Sequence, residues 1–221
     1  MTNHQWSIKL GKYLTEAIGA FFLVLTITLC VITGQQMAPL AIGGMLTVMV
    51  FMGGHISGGH YNPAVSLAAF LRGALSGSDL LPYIIFQIIG ATLGAILGNI
   101  IADGSVPIAP GPDTPIFSAI LVEFLFTFAL ALTVLNVATA QGTTGNSFYG
   151  LAIGFTVMCG AFAGGGISGG AFNPAVGIAL SLGALLNGTG GAWMLLYIIV
   201  PLAGGALAAL VFKLQGNDSK A

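Results

Sequence analysis

The residues best placed to do chemistry in this chain come in two nearly identical sets. Ile56-Ser57-Gly58-Gly59-His60-Tyr61-Asn62-Pro63-Ala64-Val65 returns 111 positions later as Ile167-Ser168-Gly169-Gly170-Ala171-Phe172-Asn173-Pro174-Ala175-Val176, with eight of the ten residues identical. Asn is a favoured helix N-cap, and Pro is favoured at the first helical position, where its missing N–H costs nothing. Each copy therefore reads as a loop that starts a short helix at Asn-Pro. A helix N-terminus carries roughly half a positive charge and unpaired N–H groups. If the side-chain carbonyls of Asn62 and Asn173 cap their own helices, their amide N–H groups point into any passage between the two copies. A water oxygen there would accept from both, while the positive potential would oppose a cation, including a hydrated proton. Such a site favours neutral molecules.

The elements that position these loops lie in a membrane. With 56% hydrophobic and 5% charged residues and a mean hydropathy of +0.99, the chain cannot assemble a water-soluble surface. Six apolar stretches approach the roughly 20 residues a helix needs to cross a bilayer: about 13 to 34, 38 to 58, 80 to 101, 116 to 138, 147 to 166 and 192 to 213. The first is not a signal peptide, because Glu16 interrupts it and no cleavage pattern follows, so it should stay in the mature protein. After each Asn-Pro-Ala, residues 65 to 71 and 176 to 185 are too short to span and read as half-helices. Irregular backbone such as Ser57-Gly58-Gly59 is tolerated at membrane depth only where it is buried in protein or lines a water-filled cavity.

Charge gives orientation. Lys9, Lys12, Arg72, Lys213 and Lys220 all fall on one side of a six-span chain, so the positive-inside rule puts both termini in the cytoplasm, in a plasma or cell inner membrane. Asp103 and Asp113 fall in the opposite, outer loop. Nothing is basic enough for nucleic acid. Cys30 and Cys159 sit in spans as packing thiols and offer no disulfide framework. Asn187-Gly-Thr189 is a glycosylation sequon on the outer face that matters only in a eukaryotic source.

The repeat extends to Glu16 and Glu123, each of which precedes its Asn-Pro-Ala by a similar distance. Three spans per half is an odd number, so the second half enters the membrane from the other side and the halves are inverted. They cover about 10–101 and 116–214 within one domain of residues 1–221, joined by a Pro-rich linker at 102–115. Gly90, Gly94 and Gly98, and Gly204 and Gly205 with Ala208 and Ala209, give spans three and six small-residue faces suited to close packing.

The paired Asn-Pro-Ala motifs, the six spans, the two glutamates and the Gly54 to Val65 run together resemble the major intrinsic proteins, the aquaporins and aquaglyceroporins, over about residues 10 to 214. The resemblance implies an all-α hourglass of six transmembrane helices plus two re-entrant half-helices, a pore in each protomer and, with the glycine faces, a homotetramer. It makes Asn62, Pro63, Ala64, Asn173, Pro174 and Ala175 the pore motifs. It places backbone acceptors of Gly58, Gly59, His60, Ser168 and Gly169 along the pore, and makes Glu16 and Glu123 buried braces of the loops. The constriction positions it implies, carried over by spacing from the two motifs, are Ile42, Ala161, Gly170 and Val176.

This chain departs from the common pattern there. Most members carry Arg after the second motif where Val176 stands, and aquaglyceroporins follow that Arg with Asp where Gly177 stands. Some plant vacuolar-membrane relatives share the Val but have a His where Ile42 stands. The resulting ring has no charge and no side-chain polar atom. The expected function is passive conduction of water and small neutral solutes such as glycerol, urea or ammonia, excluding protons and ions, with cation exclusion resting mainly on the half-helix dipoles. An apolar ring can instead dewet, giving a solute channel that passes water poorly. An intramembrane hydrolase would have to pair Ser57 or Ser168 with His55 or His60, and an ion-coupled transporter would have only Glu16 and Glu123 as coupling groups. Gly164 to Gly169 fits a dinucleotide fingerprint and Gly166 to Gly170 a nucleophile elbow, but the first follows an apolar helix rather than a strand, and the second half of the chain holds no His. No cofactor is implied, and His55 and His60 lack the further ligands a metal site needs.

Overall fold

The computed structural model describes residues 3–105, 107–186, 188 and 191–216; the sequon at Asn187 and Thr189 lies outside them. Eight α-helices follow in order: α1 Asn3–Ile32, α2 Ala38–Ser57, α3 Pro63–Arg72, α4 Gly77–Ala102, α5 Ile116–Thr139, α6 Tyr149–Ser168, α7 Pro174–Leu186 and α8 Met194–Leu214. A 3-10 turn, Gln141–Thr143, links α5 to α6. All but α3 and α7 are long and apolar enough to cross a membrane, so six spans and two half-helices stand as the sequence implies.

The largest boundary difference is at α1, which begins at Asn3 rather than near residue 13. Its added turns are polar enough to lie outside hydrocarbon, and they have partners on α4. Lys9 pairs with Asp79 at 3.1 Å, and the Tyr13 hydroxyl donates to the same carboxylate oxygen at 2.8 Å. Asp79 in turn sits in the first turn of α4, where a negative charge meets the positive helix end. Span three accordingly starts at Gly77, three residues earlier than the apolar run.

Small residues decide how the spans pack. α1 lies along α4, α5 along α8, and α2 crosses α6. A Cβ on Gly90 or Gly94 of α4 would run into the carbonyl oxygens of Ala17 and Phe21 on α1, and one on Gly98 would stand 2.6 Å from the Thr28 methyl. On α8, a Cβ at Gly204 would lie 2.6 Å from the Phe124 carbonyl of α5, and one at Gly205 2.5 Å from the Ala64 carbonyl of α3. The glycine faces of spans three and six are therefore taken up inside the protomer. They give no support to assembly between protomers, contrary to the sequence expectation, because backbone-to-backbone approach leaves no open face there.

The two halves meet at a symmetric crossing. Gly43 on α2 and Gly154 on α6 are 111 positions apart, the same offset as the two motifs. A Cβ on Gly43 would stand 2.6 Å from the Gly154 carbonyl oxygen, and one on Gly154 would meet the Gly43 carbonyl.

Rigid backbone opposite Gly90 cannot yield to a side chain. Gly90→Val should destabilise the protein by about 1–3 kcal/mol through overpacking, whereas Gly44→Val, with nothing within 4 Å of its Cβ, should be near neutral. Unfolding in mixed micelles titrated with denaturing detergent measures both; equal midpoints would show that α1 and α4 do not approach this closely.

Candidate functional site

The site begins with two loops that the sequence bends sharply out of helix. α2 ends at Gly58 with φ +95° and α6 at Gly169 with φ +95°, followed by Gly59 at +64° and Gly170 at +68°. Only glycine takes two successive left-handed positions cheaply. Two residues later the chain does the same with bulky side chains: Tyr61 and Phe172 both sit at φ 49°, a conformation costing on the order of 1–3 kcal/mol each.

Hydrogen bonds at both ends of each strained residue hold it there. The Tyr61 N–H donates to Glu16 Oε2 at 2.7 Å, and the Phe172 N–H donates to Glu123 Oε2 at 2.8 Å. The Tyr61 carbonyl accepts from Asn173 Nδ2 at 2.9 Å, and the Phe172 carbonyl from Asn62 Nδ2 at 2.9 Å. Each Asn Oδ1 meanwhile caps its own half-helix, accepting from Ala64 N and Ala175 N at 2.9 Å. The capping expected from the sequence is present. One of the two N–H groups on each amide, however, braces the opposite loop, so one and not two remains for a ligand.

Both glutamates are fully buried. Glu16 Oε1 accepts from the Ser57 hydroxyl at 2.6 Å and His60 N at 3.0 Å, and its Oε2 also takes Gln87 Nε2 at 2.7 Å. Glu123 Oε1 accepts from the Ser168 hydroxyl at 2.7 Å and Ala171 N at 3.0 Å. A carboxylate with about four lone-pair sites suits such clusters of converging donors. Both serine hydroxyls are thus engaged as donors to the glutamates. His60 Nδ1 faces Ser66 Oγ at 3.1 Å rather than Ser57, and His55 is exposed.

Sequence reasoning missed the second support. The Tyr83 hydroxyl donates to the Ser57 carbonyl at 2.7 Å, and the Tyr197 hydroxyl donates to the Ser168 carbonyl. A Tyr-Ile-Ile tripeptide at 83 and again at 197 was the available signal. Of the five backbone positions expected along the pore, Gly58, His60 and Gly169 line the cavities described below; the Ser168 carbonyl accepts from Tyr197, and the Gly59 N–H donates to Ser57 Oγ at 3.1 Å.

A cavity of about 320 Å³ lies against the two Asn caps. Ile42, Ala161, Gly170 and Val176 all line it, with Asn62, Asn173, His60 and Gly169. Its wall is largely apolar and comes as four-residue steps on four of the six spans: Leu23, Ile27 and Val31 on α1; Ala38, Ile42 and Leu46 on α2; Leu130 and Val134 on α5; Ile153, Val157, Ala161 and Gly165 on α6. The linker, expected only to join the halves, also contributes Pro107, Ile108 and Ala109, and Gly111 N donates to the Ile167 carbonyl at 3.0 Å. A Cβ at Gly177 would collide with the Tyr197 Cβ, so no side chain can stand where aquaglyceroporins carry Asp.

A second cavity of about 330 Å³ opens on the side of the chain termini, lined by Gly58, His60, Arg72, Ala74, Val134, Ala138 and Thr139. It shares His60 and Val134 with the first. On α5 the wall continues in the same four-residue step, from Leu130 and Val134 to Ala138. The two cavities thus adjoin at His60 and Val134.

Fold and site together define a multi-pass integral membrane protein made of two inverted halves around an apolar route. The family described as Major intrinsic protein matches residues 3–212. A glycerol uptake facilitator protein-like 6 from Lactiplantibacillus plantarum is 35% identical, covering 94% of this chain and 99% of its own length. Nodulin-26 from Glycine max is 31% identical over 96% and 80%, and aquaporin-8 from Rattus norvegicus 33% over 85% and 73%. The aquaglyceroporin structure from Plasmodium falciparum shares the fold with a TM-score of 0.82 at 19% identity, covering 92% and 95% of the two chains. The chain belongs to the major intrinsic protein family, whose members are channels for water and small solutes.

Glu16→Gln replaces one acceptor oxygen by an NH2 that faces other donors. With charge-assisted bonds worth about 1.5–3 kcal/mol each, it should sharply lower stability and folded yield, whereas Tyr83→Phe, losing one neutral bond, should cost about 1 kcal/mol. Thermal melts of the purified variants test the order; a Glu16→Gln protein as stable as wild type would remove the carboxylate from its bracing role.

Proposed function

We propose that the protein is a passive channel for water and small neutral solutes that excludes protons and ions. The observation that carries this reading is the reciprocal Asn62 and Asn173 brace beside a cavity whose lining includes no Asp, Glu, Lys or Arg. Each amide keeps one N–H for a passing oxygen, and the N-termini of α3 and α7 add positive potential at the same depth. In this reading Asn62-Pro63-Ala64 and Asn173-Pro174-Ala175 are the pore motifs. Ile42, Ala161, Gly170 and Val176 form the filter, His60, Gly58 and Gly169 line the route, and Glu16 and Glu123 position the loops. The unit is one domain with halves at about 10–101 and 116–214. It works as a homotetramer in a plasma or cell inner membrane with cytoplasmic termini.

The apolar filter favours solutes larger and less polar than water alone. A ring of Ile, Ala, Gly and Val offers a permeant no side-chain hydrogen bond, so it discriminates by size and by desolvation. The same four residues support the second reading, a ring that dewets and slows water relative to solute.

Stopped-flow measurements on proteoliposomes with water, glycerol, urea and ammonia separate the two readings. Facilitated flux of both water and a neutral solute supports the first, and solute flux without water flux the second. Val176→Arg should narrow the ring and depress glycerol and urea flux several-fold more than water flux. If wild type excludes both solutes and Val176→Arg changes no permeability ratio, these four residues are not the filter.

Asn62→Asp and Asn173→Asp should each admit cations or lose conduction. The carboxylate lowers the electrostatic barrier and also cannot donate to the opposite loop. Unchanged water flux and ion exclusion in both variants would show that these side chains do not act on the permeant.

A further inference from the structure

One acid in this chain sits where the fold gives it no counter-charge. Asp103 closes α4 as its C-cap, with its N–H donating to the Asn99 carbonyl and a left-handed φ of 48°. A carboxylate there meets the negative end of the helix dipole, which disfavours it. Among the described residues its side chain has no hydrogen bond and no ion pair. In a six-span chain every Lys and Arg falls on the side opposite Asp103. A positive partner for this carboxylate has to come from outside the chain.

Asp103 borders a cavity of about 490 Å³ between α4 and α7. Ile96, Asn99, Ile100 and Asp103 line it at spacings of three and four, which place them on one helix face. Gly183 and Leu186 line it from α7. Asn99 reaches into the seam, since a Cβ on Gly183 would stand 3.2 Å from its Nδ2, and among the described residues its side-chain amide has no hydrogen bond either. Depth follows from length: the 26 residues of α4 make about 39 Å of helix against a hydrocarbon core of about 30 Å. The end that carries Asp103 therefore emerges among headgroups, with Ile96 about 10 Å further in. Ile100 and Leu186 are exposed. The cavity runs from apolar side chains at hydrocarbon depth to a carboxylate and an amide at headgroup depth.

We propose that this cavity binds a bilayer phospholipid whose headgroup ends in a primary ammonium, of the ethanolamine kind. An ammonium brings three N–H donors, and the Asp103 carboxylate and the Asn99 carbonyl oxygen are acceptors for them. The Asn99 NH2 is left to donate to the lipid phosphate, and the acyl chains lie along Ile100, Ile96 and Leu186. A trimethylated headgroup carries the charge without the donors, and an anionic headgroup meets the carboxylate with the wrong sign. A soluble amine would pair with Asp103 and leave the apolar side chains uncovered. No residue lining this cavity lines either of the two beside the Asn pair, so the site is separate from conduction.

The test is lipid binding by the detergent-purified protein, read by native mass spectrometry during titration with dioleoyl phosphatidylethanolamine, phosphatidylcholine or phosphatidylglycerol. Wild type should bind the ethanolamine lipid about fivefold more tightly than the other two, the scale of one exposed charge pair. Asp103→Asn keeps a residue that tolerates the left-handed region, so the helix end is preserved, and it should bring the ratios near one. Asp103→Lys should reverse the order in favour of the glycerol lipid. Excess O-phosphoethanolamine, the same headgroup without acyl chains, should leave the bound lipid in place. If it displaces the lipid at equal concentration, the site belongs to a soluble amine and the inference is overturned. Equal binding of the three lipids by wild type, or an unchanged preference in Asp103→Asn, overturns it as well.

Discussion

Everything at the centre of this molecule depends on two carboxylates that no water reaches. A bilayer offers no hydrogen-bond partner to broken helix, so each loop before an Asn-Pro needs its N–H groups satisfied from within the protein. Glu16 and Glu123 supply the acceptors, gathering a serine hydroxyl and two successive backbone N–H groups apiece. Those bonds hold Tyr61 and Phe172 in the left-handed region. That turn aims each carbonyl at the asparagine of the other half. The sequence of constraint therefore runs from buried acid to strained aromatic to crossed amides. The position of the Asn pair is a consequence of all three.

The two halves share this framework and then diverge. Around Glu16 the structure adds Gln87 and Ser66, which join His60 in one polar cluster. At the matching offsets the second half has Pro201, Gly177 and Ala171, none of which has a side-chain hydrogen bond to give. One side of the midplane thus carries more polar side chains than the other. A duplicated scaffold can differ between its two sides in this way because its bracing uses positions separate from those facing the cavities.

The scaffold was legible in the sequence wherever it required a rare residue type. Acids inside spans, glycine pairs and Asn-Pro starts are costly or conspicuous in an apolar chain, and they gave the spans, the half-helices and both glutamates. The route's wall was not legible. Leu23, Ile27 and Val31 step along α1 as do the lipid-facing Leu14, Ile18 and Phe22, and hydrocarbon outside looks the same to a side chain as an apolar wall inside. Glycine misled for a related reason. A small-residue face shows that something approaches closely, and only the structure shows that α1, α5 and α3 do so. Counting from the glutamates would have helped: Leu130, Val134 and Ala138 lie seven, eleven and fifteen residues after Glu123, as Leu23, Ile27 and Val31 do after Glu16.

The linker makes the remaining difference between the two ends. In a strictly inverted repeat both mouths would be equivalent, since each half would present the same turns to its own side. Residues 102–115 occur once, and they fold back over the second loop. Ala109 and Ile108 press on Gly169, where a Cβ would stand 2.9 Å from the Ala109 oxygen, and Gly111 bonds to Ile167. The connection thus forms part of the wall of the cavity that Val176 lines, and among the described residues no corresponding segment lines the cavity on the side of the termini. The chain crossing from one half to the other has to pass somewhere. Passing here adds the apolar Pro107, Ile108 and Ala109 to the wall of that cavity.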